Sequence, residues 1–257
     1  MTADSWDPGQ YAKFQRERSA PFLDLLTLVE PRPGMRAVDL GCGTGELTRQ
    51  LHDRLGCRET LGIDRSAKML KKSAAFAAPG LRFEEGTVES FAPDIPFDLV
   101  FSNAALHFVE GHENLWPRLA SLLAPDGQMA VHLPANQDHP THVTAREVAR
   151  EEPFAAALGA YVLPTHLLPV EAYATLFHRL GFARQTVKLV VYTHLLDSRE
   201  SVVEWVKGSI LTEYQSRLAP LLYERFLETY RQRLLPRLAD ERPYFFTFKR
   251  VLMHAAR

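Results

Sequence analysis

Residues 37–48 read AVDLGCGTGELT. An apolar run closes on Asp39 and Leu40, glycines follow at 41, 43 and 45, and a helix-forming stretch starts at Glu46. Strand, glycine turn and helix in that order open a nucleotide-binding βαβ unit. Glycine permits positive φ and lets a ligand come close to the backbone. The dinucleotide fingerprint G-x-G-x-x-G does not fit, because the third glycine comes one residue early and Glu46 stands where the last glycine belongs. No Lys-Ser/Thr pair completes a P-loop. A pyrophosphate at this turn would lie beside Asp39 and Glu46, which disfavours it electrostatically.

The alternation continues outward from the turn. Apolar strands are expected at 35–40, 60–64, 81–86, 97–103 and 128–133, with helices at 66–78 and 113–124. Pro125-Asp126-Gly127 is expected to stop the last of these helices. Before the turn, residues 10–30 form an amphipathic helix, which ProArgProGly at 31–34 ends. After about residue 134 the rhythm changes. Helices are expected at 141–151, 169–180, 198–210 and 220–235, and strands at 186–192 and 249–256. This predicts an α/β Rossmann-like fold: a seven-stranded, mostly parallel sheet with helices on both faces and a helical cap from the C-terminal half. The whole of 1–257 is expected to be one domain, with 1–30 over the ligand, 31–135 as the binding core and 136–257 completing the sheet and the cap.

Composition narrows the partners. The 257 residues are 46% hydrophobic, enough for a substantial core, and net charge is −1. No global basic field draws the chain to nucleic acid or an anionic membrane. Two cysteines, Cys42 and Cys57, make no disulfide framework. No apolar run suggests a membrane span, and MTADSWDPGQYAKF lacks the layout of a secretory signal. A cytoplasmic protein, monomeric or weakly dimeric, with a small-molecule substrate and neither nucleic-acid nor membrane partners is the expectation.

Asp64 ends the second strand, at the distance from the glycines where an acid receives two ribose hydroxyls. An acidic turn with a ribose-binding carboxylate suits S-adenosylmethionine, which has a sulfonium and an ammonium and no phosphate. The competing reading is a structural glycine turn with Asp64 as a helix cap. Turn, Asp39 and Asp64 together resemble the class I S-adenosylmethionine-dependent methyltransferases over about residues 35–135. The resemblance implies that Asp39, Gly41, Gly43 and Gly45 surround the methionine part, that Asp64 holds the ribose, and that adenine lies beside residues 86–89. Thr87 stands where that family commonly has an acid, which leaves the Thr87 hydroxyl, the Val88 amide or Glu89 at the adenine edge. Arg65 and Asn103 complete the implied cofactor set, and S-adenosylhomocysteine is the implied product.

Finer patches are similar to the trans-aconitate 2-methyltransferases: WDPGQYAKFQRERS (6–19), NAALHF (103–108), PTHVTAREVA (140–149), VEWV (203–206) and FKRVLMHAAR (248–257). They span nearly the whole chain in order. The resemblance implies that Tyr11 and Arg18 cover the cofactor, with Arg18 pairing its carboxylate; the plainer reading of Arg18 is a solvated charge on a helix. One departure stands out. Thr212-Glu213 occupies the place of an expected Arg-Pro. An arginine there suits a polycarboxylate through a bidentate pair. Arg217, Lys249 and Arg250 are the candidates to compensate.

Methyl transfer from a sulfonium is an in-line displacement, so the protein chiefly aligns the acceptor and excludes water. A carboxylate, with an unperturbed pKa of about 4, needs no general base, whereas a hydroxyl or amine does. His107, just after the fourth strand, is the candidate to position an acceptor oxygen, against a plain packing role. His142, Tyr192, Trp205 and Thr212 are candidates to line the acceptor site, against ordinary core packing. His139 and His142 lie beside Asp138 but have no third ligand at a helical or strand spacing, so no metal is expected. The aromatic and basic run PYFFTFKR (243–250) reads as core rather than a single-strand-binding surface. The function expected is methyl transfer to a carboxylate of a small organic acid. The alternatives are a hydroxyl or amine acceptor and a non-catalytic binding protein that keeps the fold.

Overall fold

Parallel strands feeding helices account for most of the sheet. A computed structural model describes residues 15–257, with side chains from residue 20 onward; Tyr11 and the side chain of Arg18 lie outside the described residues. The strands are β1 (Arg36–Leu40), β2 (Glu59–Asp64), β3 (Leu81–Glu85), β4 (Phe97–Asn103), β5 (Leu123–Pro134), β6 (Arg184–Leu196) and β7 (Tyr244–Ala256). They form one sheet in the order β3-β2-β1-β4-β5-β7-β6. From β3 through β5 the neighbours run parallel, and β7 is antiparallel to β5. The chain turns one way from β1 to β2 and the other way to β4, so the topological switch point lies at the carboxyl ends of β1 and β4.

Ten α-helices are described: α1 (Gln15–Leu26), α2 (Glu46–Leu55), α3 (Ala67–Ser73), α4 (His112–Ser121), α5 (Pro140–Ala149), α6 (Phe154–Ala157), α7 (Val170–Arg179), α8 (Glu200–Lys207), α9 (Ile210–Gln215) and α10 (Pro220–Leu234). Two compact units result. The sheet unit takes 18–135, 166–190 and 249–257; among the described residues the helical unit takes 15–17, 136–165 and 191–248.

In the sheet unit, alternate residues face opposite sides of each strand. Val38, Leu40, Val100, Val131 and Met253 belong to one core cluster with Trp116, Tyr173 and Phe177 of α4 and α7. Trp116 meets Tyr173 and Phe177 edge-on at 5.5 and 5.4 Å, which ties those two helices together. The opposite side of the sheet carries Asp39, Phe101, Asn103, His132 and Arg250, by the register Asp39↔Phe101, Asn103↔His132 and Pro134↔Arg250. Phe22 of α1 packs edge-on against Phe101 on that side, at 5.6 Å. The helical unit has its own core, including Phe154, Trp205, Tyr214, Phe226 and Phe246.

The sheet differs from the sequence expectation in instructive places. Pro125-Asp126-Gly127 does not separate a helix from a strand; α4 ends at Ser121, and the three residues lie inside β5. A register shift between Phe97↔Leu123 and Leu99↔Gln128 absorbs them as an irregularity in the ladder. The expected helix at 66–78 ends at Ser73 and continues as a 3₁₀ turn over Ala74–Phe76. The expected helix at 198–210 is two helices, α8 and α9, divided at Gly208 and Ser209. β7 begins at Tyr244 rather than 249, so the aromatic run is its first half, with Tyr244, Phe246 and Phe248 buried and Phe245 exposed.

Candidate active site

The glycine turn is bolted to the end of β2. Backbone N–H groups of Gly41 and Cys42 both donate to the Ile63 carbonyl, at 2.8 and 3.0 Å. Asp64 takes the next two donors: the Gly43 N–H on Oδ2 at 2.8 Å and the Ser66 N–H on Oδ1 at 2.9 Å. Ser66 in turn caps α3 by accepting the Met69 N–H. Sequence reasoning weighs Asp64 as a ribose ligand against a helix cap. Its anchoring of the turn comes from a contact between residues 21 apart that no local pattern reveals.

Positive φ is required at Gly41 (84°) and Gly45 (80°). Gly45 also lets α2 pack close: a Cβ there would meet the Phe83 ring and the Ser73 Cβ, each at 2.7 Å. Across the switch point, Ala104 holds φ of 55° immediately after β4. That conformation is costly for a residue with a Cβ and is found where a site over-determines the backbone.

Asp39 is buried at 3% exposure. Its Oδ2 accepts the Thr48 hydroxyl at 2.6 Å, and its Oδ1 has no partner among the described residues. Burial pushes the Asp39 carboxyl up to about 7, the Thr48 hydrogen bond opposes the rise and the Asp64 charge adds to it. Cys42 is buried between these acids; burial and the two charges push its thiol far up, so it stays a thiol.

Further along the edge, Thr87 is exposed and its hydroxyl turns back on the Ser90 hydroxyl at 2.8 Å. Val88 is half-buried, Arg65 is exposed, and the loop is clamped from outside the motif. Arg118 of α4 donates from Nε to the Val88 carbonyl at 3.2 Å and from Nη2 to the Phe91 carbonyl at 2.5 Å. Arg118 reads as an ordinary surface cation in sequence, and its role appears only when α4 is packed on the sheet. Asn103 ends β4, and its Oδ1 receives the His132 Nδ1–H at 2.7 Å. His107 is half-buried in the 3₁₀ turn that follows, its ring stacked on Phe108 at 3.9 Å.

The structure therefore brings Asp39, Gly41, Gly43, Gly45, Asp64, Asn103 and His107 to the carboxyl edge of the sheet unit. His142 and Trp205 fall together in the helical unit, both against Phe248, at 6.5 and 6.0 Å between ring centroids. Burial, with the nearby Arg146 and His139, pushes the His142 imidazole down to about 3, so it is neutral. Trp205 also stacks on His194 at 4.8 Å, and Tyr192 is half-buried on β6. Thr212 is buried, with its hydroxyl on the Ser209 carbonyl at 2.5 Å. Glu213 beside it pairs with Arg217 at 2.6 Å, and Arg217 lies over the Tyr161 ring at 4.0 Å. No group of three or more His, Cys, Asp or Glu suited to a metal is found among the described residues.

A model of the methyltransferase domain matches residues 37–127. The trans-aconitate 2-methyltransferase of Deinococcus radiodurans is 41% identical, over 98% of each chain. That of Methylobacterium nodulans is 38% identical, again over 98% of each. Among solved structures, the YcgJ protein of Bacillus subtilis has a similar fold, with a TM-score of 0.61 and 19% identity over 92% of this chain and 97% of that one.

Proposed function

The chain belongs to the trans-aconitate 2-methyltransferase family and is an S-adenosylmethionine-dependent methyltransferase, and from that premise we propose that it methylates a carboxylate of a small organic acid, as the relatives' name states of them. The observation that carries the donor half is the Asp39 carboxyl. A buried acid with one oxygen lacking a partner among the described residues fits an ammonium. Asp39 would hold the amino group, the turn at Gly41, Gly43 and Gly45 the methionine chain, and Asp64 the ribose hydroxyls. The Thr87–Val88 loop, braced by Arg118, would flank the adenine. Tyr11 and Arg18 are kept as candidates for the cover, from the family resemblance.

Once bound, S-adenosylmethionine supplies a methyl activated by its sulfonium, which an acceptor oxygen takes by in-line displacement. A carboxylate is already ionised at neutral pH, so the chain has no proton to remove. The work left to its residues is alignment and exclusion of water. His107, at the carboxyl end of β4, would orient an acceptor oxygen by hydrogen bonding.

Incubation with labelled donor and a panel of mono-, di- and tricarboxylates, phenols and amines tests the reading. Label on base-labile esters of the acids is expected; label confined to phenols or amines would overturn it. For the donor site, Asp64→Ala is expected to weaken S-adenosylhomocysteine binding by roughly 10- to 100-fold, read by calorimetric titration. Unchanged affinity would place the ribose elsewhere.

A further inference from the structure

We propose that His112 is a positioning residue for methyl transfer. Its Nε2–H holds the Leu106 carbonyl and so fixes the turn that presents His107, and Tyr173 sets the tautomer this requires. The assignment rests on the part given to His107 above.

The residues between β4 and α4 do three things at once. Ala104 leaves β4 at φ of 55°. Ala105 lies against the glycine turn, where a Cβ on Gly41 would come within 2.1 Å of it. Leu106–Phe108 form the 3₁₀ turn that carries His107. A left-handed alanine persists only where its surroundings hold it. The Ala104 N–H on the His132 carbonyl, at 3.0 Å, anchors the start of the passage. Inside the turn the bonds are local: the Phe108 N–H reaches the Ala105 carbonyl at 3.3 Å, and the Val109 N–H the Leu106 carbonyl at 3.0 Å. His112, the first residue of α4, anchors the middle, with its Nε2 3.0 Å from that same Leu106 carbonyl.

A carbonyl only accepts, so Nε2 carries the proton. Burial holds the ring below the usual histidine range, with the Leu106 carbonyl the largest opposing influence, so the imidazole is neutral and Nδ1 is an acceptor. Nδ1 lies 2.7 Å from the Tyr173 hydroxyl, which donates to it. Burial pushes the Tyr173 phenol far up, so that proton stays. The phenol oxygen in turn accepts the Leu168 N–H at 3.0 Å. Donation therefore runs one way, from Leu168 through Tyr173 and His112 to Leu106. His112 and Tyr173 are both fully buried, and each meets the Trp116 ring edge-on. Apolar side chains would serve packing alone there; a fully satisfied polar chain in such a core fixes one geometry. The glycine turn has its own anchors in the Ile63 carbonyl and Asp64. What His112 governs is thus the acceptor side more than the hold on the donor.

Two substitutions divide the ring. Glutamine places its amide nitrogen near the position of Nε2 and keeps the bond to Leu106. Asparagine keeps an acceptor near Nδ1 for Tyr173 but is too short to reach Leu106. Tyr173→Phe keeps the aromatic ring and removes the hydroxyl. All three are expected to lower the urea midpoint by similar amounts, since each leaves a buried bond unmade. Turnover separates them. With trans-aconitate, His112→Asn is expected to lower kcat about 20-fold, and His112→Gln and Tyr173→Phe about threefold. The calorimetric Kd for S-adenosylhomocysteine stays within about twofold of the parent in all three. His107→Ala closes the cycle: it lowers kcat by itself, and His112→Asn added to it is expected to cost less than about twofold more. Equal kcat losses in His112→Asn and His112→Gln, or losses that multiply with His107→Ala, would leave the function standing and overturn the assignment. Should His112→Asn not fold, Tyr173→Phe decides: kcat at the parent value would overturn it. Full turnover in His107→Ala would overturn the part given to His107, and this assignment with it. A parent protein that methylates no carboxylate would overturn the functional reading, and both with it.

Discussion

Asp39→Asn is expected to weaken S-adenosylmethionine binding by roughly 10- to 100-fold at pH 8 while raising the stability of the ligand-free protein. The two effects have one cause. The Asp39 carboxyl is buried, accepts one hydroxyl from Thr48 and has an Oδ1 with no partner among the described residues. Its charge is held out of water for a cation to meet. In the ligand-free fold that charge is a burden: moving the carboxyl from 3.8 to about 7 disfavours the folded, ionised state by up to roughly 4 kcal/mol at pH 8. Asparagine is nearly isosteric and carries no charge to desolvate.

The pH dependence follows with a definite sign. Between about pH 4 and pH 7 the folded state keeps a proton on Asp39 that the unfolded state has lost. Asp39 therefore makes the protein less stable as pH rises through that window, and adds no further slope above it. Asp39→Asn should remove this contribution, seen as a flatter dependence of the urea midpoint on pH. Ligand affinity moves the other way. An ammonium favours the ionised carboxylate, so donor affinity of the parent should rise as pH passes through about 7 and proton release should accompany binding below it. Calorimetry in two buffers of different ionisation enthalpy measures that release. Affinity that ignores pH from 6 to 8 would remove Asp39 from contact with the amino group.

How much of this could be read in advance differs by residue. The β1–turn–α2 passage is legible because its signals are local: an apolar strand, an acid, and glycines where the chain needs positive φ. Charge at Asp39 and Glu46 then separates a cationic donor from a pyrophosphate without any structure. Arg118 is not legible, since its hold on the Val88 and Phe91 carbonyls spans about thirty residues and depends on how α4 packs. Pro125-Asp126-Gly127 misleads for a related reason. Turn chemistry predicts a break, but the ladder between β4 and β5 absorbs the extra residues and β5 runs through them. The aromatic half of β7 is hidden by its composition, because outward-facing Phe245 is as apolar as buried Tyr244, Phe246 and Phe248, so the residue types do not show the alternation that the burial does. Arg250 is visible in sequence only as one cation among several; its setting beside His132 depends on β7 returning antiparallel to β5.

The loop after β4 offers the largest expected structural effect. A Cβ added at Gly41 would lie 2.1 Å from the Ala105 Cβ, and the backbone there holds φ of 84°. Two costs therefore add in Gly41→Ala: forced overlap, worth about 1–3 kcal/mol, and left-handed backbone on a residue with a Cβ, worth roughly 1–2 kcal/mol. A total on the order of 3 kcal/mol is expected, with donor binding lost because the turn cannot keep its approach to the β4 exit. The two costs can be separated. Ala105→Gly in the same chain removes the clashing atom and should recover the overlap share of the stability while leaving the backbone share. Ala104→Gly alone should stabilise by about 0.5–1 kcal/mol or leave stability level, since φ of 55° suits glycine, whose greater freedom in the unfolded chain offsets part of the gain. Urea unfolding of the four proteins reads the shares directly. If Ala105→Gly rescues nothing, then the close approach of Gly41 to Ala105 is not what requires glycine, and the turn's conformation alone explains the residue.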